Sequence, residues 1–174
     1  EAQKAMDSFV YYAGFTDKFQ QLIGSVNPVS GPHHNFTTAE PVGVVGFVPS
    51  RDCSYSGFVA QLAAILASGN TLIAIMPAGL APLLAPLSEV LATSDLPAGV
   101  VNLLTESKPD LHKHMASHME IQALCLGDTN FLAEARKLGV ENMKRVMASR
   151  DELTQLACLL DFVEYKTVWH PIGV

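Results

Sequence analysis

The residues able to do chemistry are few, and they are scattered. Cys53 lies beside Arg51 and Asp52, where a cation can lower a thiol pKa and sharpen a nucleophile. No histidine adjoins it to act as base, so a passive loop cysteine is the better reading. His112, His114 and His118 form H-x-H-x3-H, and the last two share a helix face at i, i+4, a spacing that can chelate zinc. Without a neighbouring third ligand type they read as surface histidines, and no metal is expected. His33 and His34 lie in a Pro/Gly-rich stretch and read as solvated. Asp151 and Glu152 suit a helix N-terminus better than an acid/base pair. Tyr11, Tyr12, Phe15 and Phe19 fall at the spacing of a helix packing face.

The elements that must hold these residues follow from periodicity. Phe9, Tyr12, Ala13, Phe15, Phe19 and Leu22 give an amphipathic helix over about 1–23, which Gly24 stops, and a loop is expected over about 24–39. The period then changes: Val42 to Val48 is a run of β-formers, the mark of a strand covered on both faces. Alternation follows. Helices are expected at about Gly57–Ala67, Pro82–Ala92, Asp110–Ala116, Asn130–Leu138 and Asp151–Leu160. Strands are expected at Thr71–Met76, Val100–Leu104, Ile121–Leu126 and Met143–Ala148. Such a series predicts a doubly wound, mostly parallel, five-stranded Rossmann-like α/β sheet with an N-terminal helix, in a single module over 1–174.

Composition agrees with a packed domain. Of 174 residues 49% are hydrophobic and 16% charged, which excludes intrinsic disorder. A net charge of −6 without a basic run argues against nucleic acid and against a polybasic membrane surface. The longest apolar stretch is broken at Ser68, Gly69 and Asn70, short of a membrane span. Three widely spaced cysteines fit a reducing compartment, hence a cytoplasmic setting. The chain opens on Glu1 inside an expected helix, as a piece of a longer polypeptide would.

Four motifs in order resemble the coenzyme domain of aldehyde dehydrogenases. They are Glu40-Pro-Val-Gly-Val-Val-Gly46, the Gly69-Asn70 turn in Leu66–Ile73, Leu96-Pro-Ala-Gly-Val-Val-Asn-Leu-Leu-Thr105, and Asn142-Met-Lys-Arg-Val146. The flanks, Phe9–Phe19 and Lys166–Gly173, are similar to the shortened second copy of that domain at the C-terminus of aldehyde dehydrogenase family 16.

The resemblance implies where the chemistry should sit, and there the residues differ. The oxyanion asparagine falls on Asp52, which accepts but cannot donate when ionised. The lysine and glutamate that hold the adenosine ribose fall on Ile75 and Ala78, or on Met76 and Gly79 with a one-residue slip. The pyrophosphate turn keeps Gly127 and gains an acid at Asp128. The glutamate base falls on Ser149. A crevice with negative charge and apolar side chains, in place of a cation and hydroxyls, is thus expected. It implies a non-catalytic module that binds no NAD and serves as a structural, interaction or oligomerisation unit. Its expected partners are other domains of its own polypeptide, and a homo-oligomer is expected. The alternative is an NAD-binding half, with the pyrophosphate near Gly46, Gly127 and the helix after Thr129, whose catalytic module lies elsewhere in the polypeptide.

Overall fold

The computed structural model describes residues 1–105, 110–150 and 155–173. Its centre is a parallel sheet built from five short apolar strands: β3 (Val44–Val48), β4 (Thr71–Met76), β5 (Val101–Thr105), β6 (Ala123–Leu126) and β7 (Arg145–Ala148). Their order is β5-β4-β3-β6-β7. The chain winds outward from β3 to β5, returns to the other side of β3, and winds outward again. That reversal creates a switch point between β3 and β6, which pair directly with Val45 opposite Ala123. Both faces of the central strands β3, β4 and β6 are covered, which is why these read as apolar runs rather than as an alternation, while the edge strands β5 and β7 stay partly exposed.

Two layers do the covering. On one face α3 (Tyr55–Ala67) is buried along most of its length, starting at Ser54, whose hydroxyl accepts from the Gly57 N–H. It packs with Phe47, Leu72, Ala74 and Met76, while α1 (Ala2–Thr16) lays Ala5 and Tyr12 over it. On the other face α5 (Leu111–Ser117) and α6 (Leu132–Leu138) cover Ile75, Leu124 and Leu126. A helix α4 (Leu84–Thr93) follows a 3-10 stretch over Ala78–Leu83, and α7 (Leu156–Leu160) brings Cys158 and Leu159 against Tyr12. Most expected elements stand within a few residues. The last strand begins at Arg145 instead of Met143, because Met143 takes a left-handed turn at φ 53. The acid pair Asp151 and Glu152 lies outside the described residues.

The opening segment departs from expectation. The helix over about 1–23 is two pieces, α1 and α2 (Phe19–Ile23), and the loop over about 24–39 is β structure. β1 (Ser25–Asn27) and β2 (His33–Pro41) pair antiparallel, and β2 pairs along all nine residues with β8 (Val163–Pro171). His33 and His34 are therefore strand residues; His33 sits edge-on to Trp169 at 5.9 Å between ring centroids. The partner of β2 is more than a hundred residues away, and its own side chains are mainly polar, so no local period announces it.

Side chains tie the two sheets together: Arg145 of β7 donates to the Val163 carbonyl of β8 at 2.7 Å, and Asn70 works from the other side of the sheet. Asn70, 2% exposed, accepts from the Gly43 N–H at 2.9 Å and donates to the Phe162 carbonyl at 2.9 Å. It thus ties the entry to β3, the end of α3 and the approach to β8.

Candidate functional site

The switch point opens into a crevice of about 400 Å³ at the C-terminal ends of β3, β4 and β6. Its walls are the segment from Val48 to Asp52, Ile75 and Pro77 after β4, and Leu126 to Thr129 after β6, closed by His112 and Phe131. Open α/β sheets bind ligands at such a crevice. The two loops that form its floor touch: a Cβ at Gly127 would stand 2.0 Å from the Ser50 backbone nitrogen. Gly127 is therefore required by the neighbouring loop, and its N–H is taken by the Val48 carbonyl at 2.8 Å.

The residues singled out from sequence separate into three groups. Asp52, Ile75, Gly127 and Asp128 do line the crevice. Met76 points to the opposite face and is fully buried with Phe47 and Phe58, and Ala78 opens the exposed 3-10 stretch, so neither reaches it. Ser149 borders a smaller cleft of about 230 Å³ on the other side of the Ser50–Gly127 contact, where its hydroxyl donates to Gln61 Oε1 at 3.1 Å. Gly46 is also displaced from the expectation: it is buried mid-strand under Met115 and Leu124, away from any phosphate position.

Asp128 is partly occupied by its own turn. One carboxylate oxygen accepts from the Asn130 N–H and from the Asn130 side-chain amide, each at 2.9 Å. That is local capping, which holds the start of the following helical turn. Its charge still faces the crevice.

The expected absence of a cation and hydroxyls is corrected here. Arg51 lines the crevice together with Ser50, Thr129 and His112, and His112 packs edge-on against Phe131 at 4.5 Å. Arg51 and Thr129 were visible in the sequence as neighbours of Asp52 and Asp128. His112 stands out in the sequence only for its spacing to His114 and His118; its place at the crevice comes from the fold, which brings α5 to the mouth of β6. His118 acts locally instead, its Nδ1 accepting from the Glu120 N–H at 3.2 Å. Among the described residues no group of three His, Cys, Asp or Glu side chains is placed to hold a metal ion.

Neither cysteine near the sheet is an activated nucleophile. Burial, with Asp52 and Glu1 adding repulsion, pushes the Cys53 thiol up from its ordinary value, so Arg51 does not lower it. Cys125 is pushed up to about 12 by burial. Lys144 runs the other way: burial brings it down to about 8. Its ammonium donates to the His118 and Ile121 carbonyls, which pins the turn ahead of β7.

This architecture, a doubly wound sheet with a crevice at its switch point, defines a Rossmann-like α/β class of domain. A sequence profile of the aldehyde dehydrogenase family matches residues 1–150, and the chain belongs to that family. It is 33% identical over 151 residues to human retinal dehydrogenase 2, covering 84% of this chain and 28% of that protein. It is 31% identical over 144 residues to the putative aldehyde dehydrogenase DhaS of Bacillus subtilis, covering 82% of this chain and 28% of that one. Among solved structures, the NAD+ complex of the Bacillus cereus aldehyde dehydrogenase superposes with a TM-score of 0.72 at 29% identity, over 84% of this chain and 29% of that one. The chain thus spans little more than a quarter of these relatives. The expectation that the module has no cofactor is overturned by this kinship: the family, and a neighbour solved with NAD+ bound, point to a nicotinamide dinucleotide.

Proposed function

We propose that this chain is a coenzyme-domain module of a longer aldehyde dehydrogenase polypeptide, and that it takes a nicotinamide dinucleotide without itself performing aldehyde chemistry. The crevice fits the diphosphate end: the Arg51 guanidinium and the hydroxyls of Ser50 and Thr129 are donors of the required kind along its wall. It fits the adenosine ribose poorly, because Ile75 and Pro77 offer only apolar surface there. When bound, the nicotinamide supplies a hydride acceptor. This chain's own residues bind and orient; Arg51 attracts, and Asp52 and Asp128 oppose.

The observation that carries the non-catalytic half is the state of Ser149. It stands where the resemblance calls for a glutamate base, and its hydroxyl donates to Gln61. A hydroxyl so engaged has no proton-accepting strength near neutral pH. Asp52, in the place of an oxyanion donor, repels a developing alkoxide. The match of the flanks to the shortened second copy in family 16 supports reading the chain as that copy, one module that packs against other domains of its polypeptide. The three widely spaced cysteines, Cys53, Cys125 and Cys158, fit a reducing compartment such as the cytoplasm.

Calorimetric titration with NAD tests the reading. We expect saturable binding that weakens on Arg51→Ala, and no reduction of NAD when aldehydes are added to the isolated chain. Turnover by the chain alone would reject the non-catalytic assignment; absence of binding would reject the dinucleotide site.

A further inference from the structure

Antiparallel pairing sets His34 of β2 directly opposite His170 of β8, two imidazoles far apart in the chain. The Ile172 N–H donates to the Pro32 carbonyl at 2.9 Å, so those two form a hydrogen-bonded rung; such rungs alternate, and His34 with His170 is the next one in. Their Cα atoms therefore stand about 5.5 Å apart, with both side chains on one face of the sheet. Both residues are exposed, and among the described residues no hydrogen bond or ion pair engages either ring. The His34 ring leans on Phe36 at 5.5 Å between centroids, which holds it over that face. The next rung on the same face is Phe36 with Val168, and the one after carries Lys166, whose charge is met by Glu40 at 2.8 Å. No unpaired cation stands on these rungs.

We propose that His34 and His170 together bind one divalent transition-metal ion of the zinc, nickel or copper kind, with water completing its shell. Imidazole nitrogen is a ligand these ions favour. Two nitrogens on one tetrahedral ion, at bonds of about 2.0–2.1 Å, stand about 3.4 Å apart, a gap that side chains at directly opposed positions close by rotating about χ1 and χ2. The other histidines lack this arrangement. His33 lies on the opposite face against Trp169, and His112 packs on Phe131. His114 and His118 have the i, i+4 spacing, but His118 leaves the helix at φ −70, ψ 123, and its Nδ1 is taken by the Glu120 N–H. The net charge of −6 draws cations toward the molecule. Bound there, the ion clamps the last strand to β2, which leads into β3 of the parallel sheet. The inference is independent of what fills the crevice.

Trp169, the single tryptophan of the chain, adjoins His170 and reports the event. Ni2+ is the probe, since it quenches a nearby indole and leaves thiols reduced. Titrating the full chain with Ni2+ near neutral pH is expected to give saturable quenching, which an excess of Zn2+, itself no quencher, reverses by competition. His34→Gln and His170→Gln are each expected to weaken binding about a hundredfold, as loss of one arm of a chelate does, and the double variant falls little further than either single one. His33→Gln and His114→Gln are expected to leave the titration unchanged, and all four replace residues without altering the circular dichroism spectrum. Quenching that does not saturate, or that survives substitution of His34 or of His170, overturns the proposal, and so does an equal loss on His33→Gln.

Discussion

At the scale of single residues, titration separates groups that the sequence leaves alike. Three cysteines look equivalent in sequence, yet Cys53 is half-buried while Cys125 and Cys158 are buried. A thiol reagent at pH 8 is expected to label Cys53 first, more slowly than a free thiol, and the other two only on unfolding; counting labelled thiols with and without urea checks this. Lys144 gives a signed pH effect. Its folded pKa of about 8 lies below the ordinary 10.5, so between those values the unfolded chain binds more protons and stability contributed by this group rises with pH. Below about pH 8 the penalty for burying the charge is fully present. Cys125, raised to about 12, acts in the opposite sense above pH 9, so the measurement must be a difference. Urea unfolding of the wild type and Lys144→Met at several pH values is expected to shift in the wild type's favour from pH 8 to 10.5. Such effects are invisible in sequence because a lysine in an N-x-K-R-V motif carries no sign of the two carbonyls it will meet. Asp52, by contrast, could be placed beside the crevice from motif spacing alone, and that Ile75 rather than Met76 lines it needed only the alternation of a strand.

At the scale of elements, the parallel sheet was legible because each βα unit closes locally and announces itself by a change of period. The second sheet was not. β2 reads as polar loop until β8 arrives beside it, and the pair is fixed by contacts that a window along the chain never contains. Asn70 is the exception, a motif residue whose role becomes physical once both sheets exist. Asn70→Ala leaves the Gly43 N–H and the Phe162 carbonyl without their side-chain partner, each buried loss costing about 1–3 kcal/mol. A loss of about 2–4 kcal/mol in urea unfolding is therefore expected, with the crevice loops unaffected. Gly127→Ala tests a different joint. Its Cβ would collide with the Ser50 backbone, which cannot yield like a flexible side-chain tip, so the two loops must part. Lower stability together with weakened NAD binding is expected, whereas Gly79→Ala, which meets open space, is expected to change neither.

At the scale of the whole molecule, the field decides how the crevice handles an anion. The chain carries a net charge of −6, and in the crevice one arginine faces two aspartates. A dinucleotide approaching it meets repulsion at long range and the Arg51 attraction only at contact. Salt screens the first more than the second, because the Debye length at physiological ionic strength, about 8 Å, is shorter than most of the distances involved and longer than a hydrogen bond. Binding of NAD is therefore expected to tighten as salt rises from low to moderate concentration, opposite to a site dominated by cations. Asp128→Ser removes one of the two opposing charges while its hydroxyl can still cap the Asn130 N–H, so the turn survives. That variant is expected to bind NAD about five- to tenfold more tightly at low salt, the size of one near-surface charge interaction, and to lose much of the salt sensitivity. Calorimetric titrations of both proteins at two ionic strengths measure it. If binding instead weakens with salt in both, the local contact with Arg51 governs the site, and the charge of the rest of the molecule does not reach it.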